Sequence, residues 1–256
     1  IIHKPDLGEA ESFSLNDLNY TKPRDYFKSG IKICQREGLA FTSGFECEII
    51  SNIPIQAGTG SSSSIMVGWV QFLCNMADKP ADWDQQKIGE LAYNAEVREF
   101  NEPGGMMDQY SSAMGHLIYL ESIPKIYIRQ LNLNLGTFVL GNSREQKDTM
   151  GILQHCRDSR LDIIRKIEKS NPRFDLHNYN KNVDLSTLDD QERILFNGTI
   201  QNRDILKNAL PELEKNKPNH RLIGQLLSDH HQVLRDVLNV STPKIESMLN
   251  AALNAG

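Results

Sequence analysis

Hydrophobic and polar residues alternate along this chain with clear periods in some segments and none in others. Residues 1 to 30 mix strand-like and polar character without a period. In FECEIISNIP, residues 45 to 54, Phe45, Cys47 and Ile49 alternate with Glu46 and Glu48, and Pro54 closes the run. That pattern predicts a strand ending at a turn. Beyond it Ile65, Met66, Trp69, Val70, Leu73 and Met76 recur at three- and four-residue steps, which predicts a helix with a wide apolar stripe. Residues 84 to 100 read as a second amphipathic helix, with Ile88, Leu91, Ala92, Ala95 and Phe100 on one face and Pro103-Gly104-Gly105 as its stop. A strand is predicted over 117 to 120, then a strand, a polar turn and a helix over 136 to 153. Residues 149 to 170 and 188 to 239 are helical by period, and 171 to 187, rich in Asn, His and Tyr, form a connection. The two prolines of KNALPELEKNKPNH break one helix from the next, and Thr242-Pro243 starts another as N-cap and first helical residue. The pattern alone says mixed α and β.

Composition narrows the class. A chain of 256 residues buries at least one full core, as one large domain or two ordinary ones. With 39% hydrophobic and 24% charged residues it is globular rather than disordered. A net charge of -5 leaves no basic field for nucleic acid, and the lysines and arginines are scattered. No apolar run is long enough to span a bilayer, so the expectation is a cytoplasmic protein with no membrane or nucleic-acid partner. Cys34, Cys47, Cys74 and Cys156 are too far apart for a zinc knuckle and too few for a disulfide framework, so they read as reduced structural thiols. His230 and His231 would point roughly 100° apart on a helix, one packed and one solvated, and would not converge on one ion.

Two stretches carry chemistry. IPIQAGTGSSSSIMVGWV, residues 53 to 70, joins the strand to the apolar helix, so it is no flexible linker. Glycines permit positive φ and close approach, and the free N–H groups of a helix start make an anion site. Serine hydroxyls there can cap the helix or ligate magnesium, and the plainer alternative of an N-cap turn with surplus serines stays open. The loop is not a Walker A motif, since no Gly-Lys-Ser/Thr occurs in it. The second stretch is LAYNAEVREFNEPGGMMDQYSSAMGHLIYLE, residues 91 to 121. Asp108, just after a Pro-Gly-Gly turn and among methionines, is expected to be partly desolvated and able to orient a substrate hydroxyl and accept its proton. Taken singly, an aspartate after a turn is more often a helix cap.

Together the two stretches resemble the GHMP kinases, the superfamily of galactokinase, homoserine kinase, mevalonate kinase and phosphomevalonate kinase. PIQAGTGSSSS resembles their Gly-rich, Ser-Ser phosphate loop. PGGMMDQYSSAMGHLI looks like the sugar-kinase stretch that holds the catalytic aspartate. Its Met-Asp-Gln core is galactokinase-like, and its Pro-Gly-Gly opening is closer to the heptose-phosphate kinases. The resemblance implies ATP phosphates on Ala57, Gly58, Thr59, Gly60, Ser61, Ser62 and Ser63, with Ser62 as a magnesium ligand. Glu96, twelve residues before Asp108, matches the acidic magnesium partner. Asp108 matches the aspartate beside the acceptor hydroxyl, as general base or electrostatic anchor, and Gly105 lines the same substrate pocket. Thr59 stands where the family usually has leucine and Gln56 where it often has glycine, departures that bear on nucleotide affinity.

The fold implied is α+β, the two-domain GHMP kinase fold, with a ribosomal protein S5 domain 2-like N-terminal domain over 1–135 and a ferredoxin-like C-terminal domain over 136–256. The family's first and third motifs have no counterpart, and the ends read as incomplete, so both motifs are expected to lie outside this sequence. The activity implied is ATP- and Mg²⁺-dependent phosphorylation of a sugar or sugar phosphate, either D-glycero-D-manno-heptose phosphate or galactose. A non-sugar acceptor such as mevalonate, or a GHMP-fold ligand sensor without turnover, are the alternatives. A homodimer is an assembly open to it.

Overall fold

The computed structural model describes all residues except 56, 146–148, 180–182 and 256. The departure at Gln56 therefore lies outside the described residues. The fold is α+β, 52% helical and 7% strand. The chain divides into two compact units, Ile1–Gln130 and Leu131–Gly256.

The first unit opens with β1 (Ile2–Lys4) and β2 (Glu9–Glu11), an antiparallel pair reversed by Pro5–Leu7 and by Gly8 at φ 65°. The strand expected to run up to Pro54 is only β3 (Cys47–Glu48), parallel to β1, in a sheet of order β2-β1-β3. Alternation in the sequence extends further than the ladder because β1 is itself three residues long and offers no more backbone to pair. Residues 1 to 30, which show no period, contain both short strands and the start of helix α1 (Tyr26–Arg36).

Helix α2 (Ser61–Met76) fulfils the apolar stripe. Met66, Val70, Leu73 and Cys74 are buried, while Met76 at its end is exposed. Against it lie α1, through Ile31 and Cys34, and α3 (Gln85–Tyr93), through Ile88, Leu91 and Ala92. Asp84 caps α3, accepting the Lys87 N–H at 2.7 Å. Trp69 of α2 stacks on Phe72, meets Phe27 and Phe45 edge-on, and donates its indole N–H to Phe27 O at 3.0 Å. Burial pushes the Cys34 thiol up to about 12, so it stays protonated and packs as a small hydrophobe. All four cysteines are free. The unit continues with α4 (Met107–Met114) and the two-stranded sheet of β4 (Leu117–Glu121) and β5 (Tyr127–Leu131).

The second unit contains α5 (Thr149–Ser170), α6 (Asp190–Leu213), α7 (His220–Asp236) and α8 (Pro243–Ala255). Ile163, Ile167, Leu188, Phe196 and Ile200 form its core, edged by Phe174 and Tyr179. A reciprocal box between Asp189 and Glu192 starts α6, and Thr242 Oγ1 accepts the Ile245 N–H at 3.3 Å at the start of α8. Helix α6 runs through Pro211, two residues before its end. The ferredoxin-like sheet expected here has no counterpart among the described residues, and the strand expected after 136 is irregular backbone. Phe138, Val139 and Leu140 are exposed and have no ladder to join. Among the described residues no helix is long and apolar enough to cross a membrane.

Two predictions test these contacts. An added Cβ on Gly30 of α1 would stand 2.5 Å from Trp69 Cδ1, and the indole is anchored on both sides. Helix propensity favours Gly30→Ala by about 1 kcal/mol, whereas overpacking costs ~1–3 kcal/mol. We expect net destabilisation in urea unfolding; a gain would mean that Trp69 gives way freely. In the second unit Ser241 Oγ, His231 Nε2 and Arg235 Nη1 bind Glu246 at 2.5, 2.7 and 3.1 Å and pull its carboxyl down to about 2 from an ordinary value of 4.5. The folded value lies below the unfolded one, so this stabilisation is present at neutral pH, fades below about 4.5 and is gone near 2. Glu246→Gln should remove that part of the acid dependence of the thermal midpoint.

Candidate active site

The loop that precedes α2 turns through two left-handed glycines, Gly58 at φ 74° and Gly60 at φ 70°. Each would cost a side-chain-bearing residue strain, which is the local reason for glycine here. Thr59 Oγ1 donates to Pro54 O at 2.9 Å and closes the loop on its own entrance. Gly60 is the N-cap of α2, and no side chain caps the helix. The first-turn N–H groups are thereby left for a ligand, at the positive end of a 16-residue helix. Ala57, Gly58 and Ser62 are exposed, Thr59, Gly60 and Ser61 half-buried, and Ser63 is buried at 4% exposure.

The helix expected over 84 to 100 is regular only to Tyr93. It widens into a π turn over Asn94–Arg98, closed by Glu99 N–H to Asn94 O at 2.9 Å. The extra residue in the turn swings Ala95, Glu96 and Val97 all inward, a placement that a 3.6-residue period does not foresee. Glu96 is 5% exposed. Gln109 Nε2 donates to Glu96 Oε2 at 2.7 Å and to Ser63 Oγ at 3.1 Å. Among the described residues no cationic side chain pairs with Glu96. Its hydrogen-bond partner is a neutral amide, and Arg24, clamped on Glu102, acts on its charge without a contact ion pair, so this buried carboxylate suits a divalent cation. No group of three His, Cys, Asp or Glu could hold a metal among the described residues, so a cation here needs hydroxyl and ligand oxygens to complete its shell.

The Glu-Pro-Gly-Gly turn is held from across the sequence. Arg24, itself at φ 55°, donates through Nε and Nη2 to the two oxygens of Glu102 at 2.5 and 2.9 Å. Next to it Arg36 and Tyr20 bind Glu99, and Arg36 holds that carboxyl below its ordinary range. Gly105 is exposed, and a methyl placed on it would meet nothing within 4 Å.

Helix α4 then begins, with Asp108 and Gln109 in its first turn pointing roughly 100° apart. The partial desolvation expected for Asp108 is not found: its side chain is exposed, because the flanking Met107 is itself 46% exposed and builds no apolar wall. Asp108 nevertheless faces the loop that precedes α2. A methyl placed on Gly60 would lie 3.7 Å from Asp108 Oδ2. Ser64 Oγ and Ser112 Oγ, 3.2 Å apart, link the same two helices, and Gly89 of α3 lets Tyr110 and Ala113 come close on the other side.

The structure thus brings Gly60 to Asp108, and Ser63 to Glu96 through Gln109. Ser62 is exposed on the first turn of α2, and the serine bound into the Glu96 cluster is Ser63. Sequence reasoning gave Gln109 no role, since its partners are 13 and 46 residues away and no spacing announces them. A cleft of about 380 Å³ runs beside the loop, lined among others by Ile49, Ile53, Ile65, Gly68 and Phe72.

Residues 25–116 match the family model of the GHMP kinase N-terminal domain. The galactokinase of Clostridium perfringens (strain SM101 / Type A) is 25% identical over 260 residues, covering 96% of this chain and 65% of that protein. The galactokinase of Bacillus subtilis (strain 168) is 26% identical over 259 residues, covering 93% and 63%. The mevalonate kinase of Thermococcus gammatolerans is 24% identical over 256 residues, covering 97% and 67%. The chain spans just under two thirds of the length of these galactokinases. Over residues 25–116 the chain is similar to the N-terminal domain of the GHMP kinases, and along most of its length it resembles galactokinases of the sugar-kinase branch.

The two glycines next to the site should respond differently to alanine. Gly60→Ala should cost ~1–2 kcal/mol through left-handed strain, with a methyl against the Asp108 carboxylate. Gly105→Ala should stay within about 0.5 kcal/mol. Equal effects in urea unfolding would refute the loop geometry.

Proposed function

We propose that this protein is an ATP-dependent kinase that transfers the γ-phosphate to a hydroxyl of a sugar or sugar phosphate. The observation that carries the reading is the approach of Gly60 to Asp108, 3.7 Å from an added Cβ to Oδ2. Phosphate loop and carboxylate share one space, so a phosphoryl group on the loop and a hydroxyl beside the carboxylate would be neighbours. Phosphoryl transfer needs little more than such positioning and neutralisation of charge.

In this reading Ala57 to Ser63 cradle the ATP phosphates with their N–H groups, and the cleft along α2 takes the apolar face of the adenine. Magnesium, when bound, neutralises phosphate oxygens, and Ser62 and Glu96 are the residues that would hold it. Asp108 orients the acceptor hydroxyl and takes its proton as that oxygen attacks the γ-phosphorus, the bond to the β,γ-bridging oxygen breaks and ADP leaves. The open space over Gly105 leaves room for the acceptor. Residues 1–135 would form the N-terminal domain of the kinase and 136–256 its C-terminal domain.

The galactokinase relatives favour galactose. The Pro103-Gly104-Gly105 opening is what speaks for a heptose phosphate. A non-sugar acceptor such as mevalonate is the second reading, supported by the mevalonate kinase of Thermococcus gammatolerans.

The test is magnesium-dependent phosphate transfer from ATP by the full-length gene product across galactose, fucose, D-glycero-D-manno-heptose 7-phosphate, mevalonate and homoserine. Turnover should appear on one sugar. In Asp108→Asn kcat should fall by ~10²–10⁴ with ATP binding nearly intact. A defect mainly in ATP binding would overturn the role of Asp108. Binding of ATP or a sugar without turnover on any acceptor would identify a sensor.

A further inference from the structure

Gln109 is 2% exposed, and it is the residue on which three elements converge. Its amide nitrogen reaches Ser63 at the start of α2 and Glu96 in the π turn, while the backbone that carries it is the first turn of α4. A carboxylate has only lone pairs to offer, so the NH₂ end of the amide must face Glu96. Reversal would set the amide oxygen against a carboxylate oxygen at 2.7 Å. That forced orientation leaves Gln109 Oε1 buried with no hydrogen-bond partner among the described residues. An orphaned buried acceptor is a cost that a methionine or leucine at this position would avoid. What the glutamine supplies in return is two donors at one nitrogen, aimed at one serine and one carboxylate that no backbone connects.

We infer that Gln109 is a positioning residue for the divalent cation: it holds the Glu96 carboxylate and the Ser63 hydroxyl in a fixed relation, with the remaining carboxylate oxygen left for the metal. This rests on the kinase reading above. Hydrogen bonds to a ligating carboxylate set its orientation, and their loss weakens metal binding without removing a ligand. Asp108, one residue earlier, faces the loop at Gly60 instead, so a single helical turn places the acceptor carboxylate and tethers the metal carboxylate together.

The test uses full-length protein and Mn²⁺ as the probe, with its binding followed by electron paramagnetic resonance in the presence of ATP. ATP binding is measured separately without metal. Gln109→Met keeps the volume and removes both donors. It should weaken Mn²⁺ binding about 10–100-fold and shift the Mg²⁺ requirement of turnover upward, with kcat recovering at high Mg²⁺ and metal-free ATP affinity unchanged. Gln109→Asn, which keeps the amide but is too short to span both partners, should show the same shift and carries the test if the methionine variant does not fold. A Mn²⁺ titration equal to that of the native protein overturns the inference, as does an equal loss of ATP affinity and metal affinity, the mark of a purely structural residue. Failure of the native protein to bind Mn²⁺ with ATP at all would instead overturn the kinase reading itself.

Discussion

Helix α2 can present an uncapped first turn to a ligand because the rest of it cannot move. Met66, Val70 and Leu73 are sealed against α1 and α3, and Trp69 is wedged among Phe27, Phe45 and Phe72 with its indole N–H bound to Phe27 O. Burying such side chains is worth about 1.5–3 kcal/mol each, so the helix axis is held by its distal turns, while Ser63 and Ser64 tie the first turn to Gln109 and Ser112 and leave its N–H groups open. The loop before it can then be shaped for a ligand: two left-handed glycines and a threonine bond to Pro54. Rigid scaffold and permissive loop are complementary, since donors aimed at a phosphate help only if they need no reorganisation when it arrives.

The second constraint is charge. A buried carboxylate must find a partner, and among the described residues Glu96 finds an amide. The nearby carboxylates are differently placed: Glu99 is bound by Arg36 and Tyr20, and Glu102 by Arg24. Those pairings pin the segment 99–102 at both edges, and Glu96 makes no ion pair among the described residues, Arg24 acting on it only from its clamp on Glu102. The π turn that buries it and the arginine clamps that steady its surroundings are parts of one arrangement. A helix of regular pitch through 94–98 would turn one of its three inward residues, Ala95, Glu96 or Val97, toward solvent.

The sequence by itself determined a good deal. The periodic runs announced α2, α3, α5, α6 and α7 because amphipathic helices write their burial into a 3.6-residue repeat, and the glycines before α2 announced a tight loop at a helix start through local conformational need. Short strands were poorly legible, since β3 depends on how much of β1 is there to pair with, and the apolar run at 138–140 alternates into nothing. Which carboxylate is exposed and which buried was decided by tertiary structure: Asp108 lies open beside the exposed Met107, and Glu96 is enclosed by a change of helical pitch. Gln109 and Ser63 became partners only in space, 46 residues apart, because a hydrogen bond between side chains on different helices leaves no periodic trace along the chain. Local preference and burial are properties a sequence carries position by position, while the meeting of charged and polar groups is a property of packing.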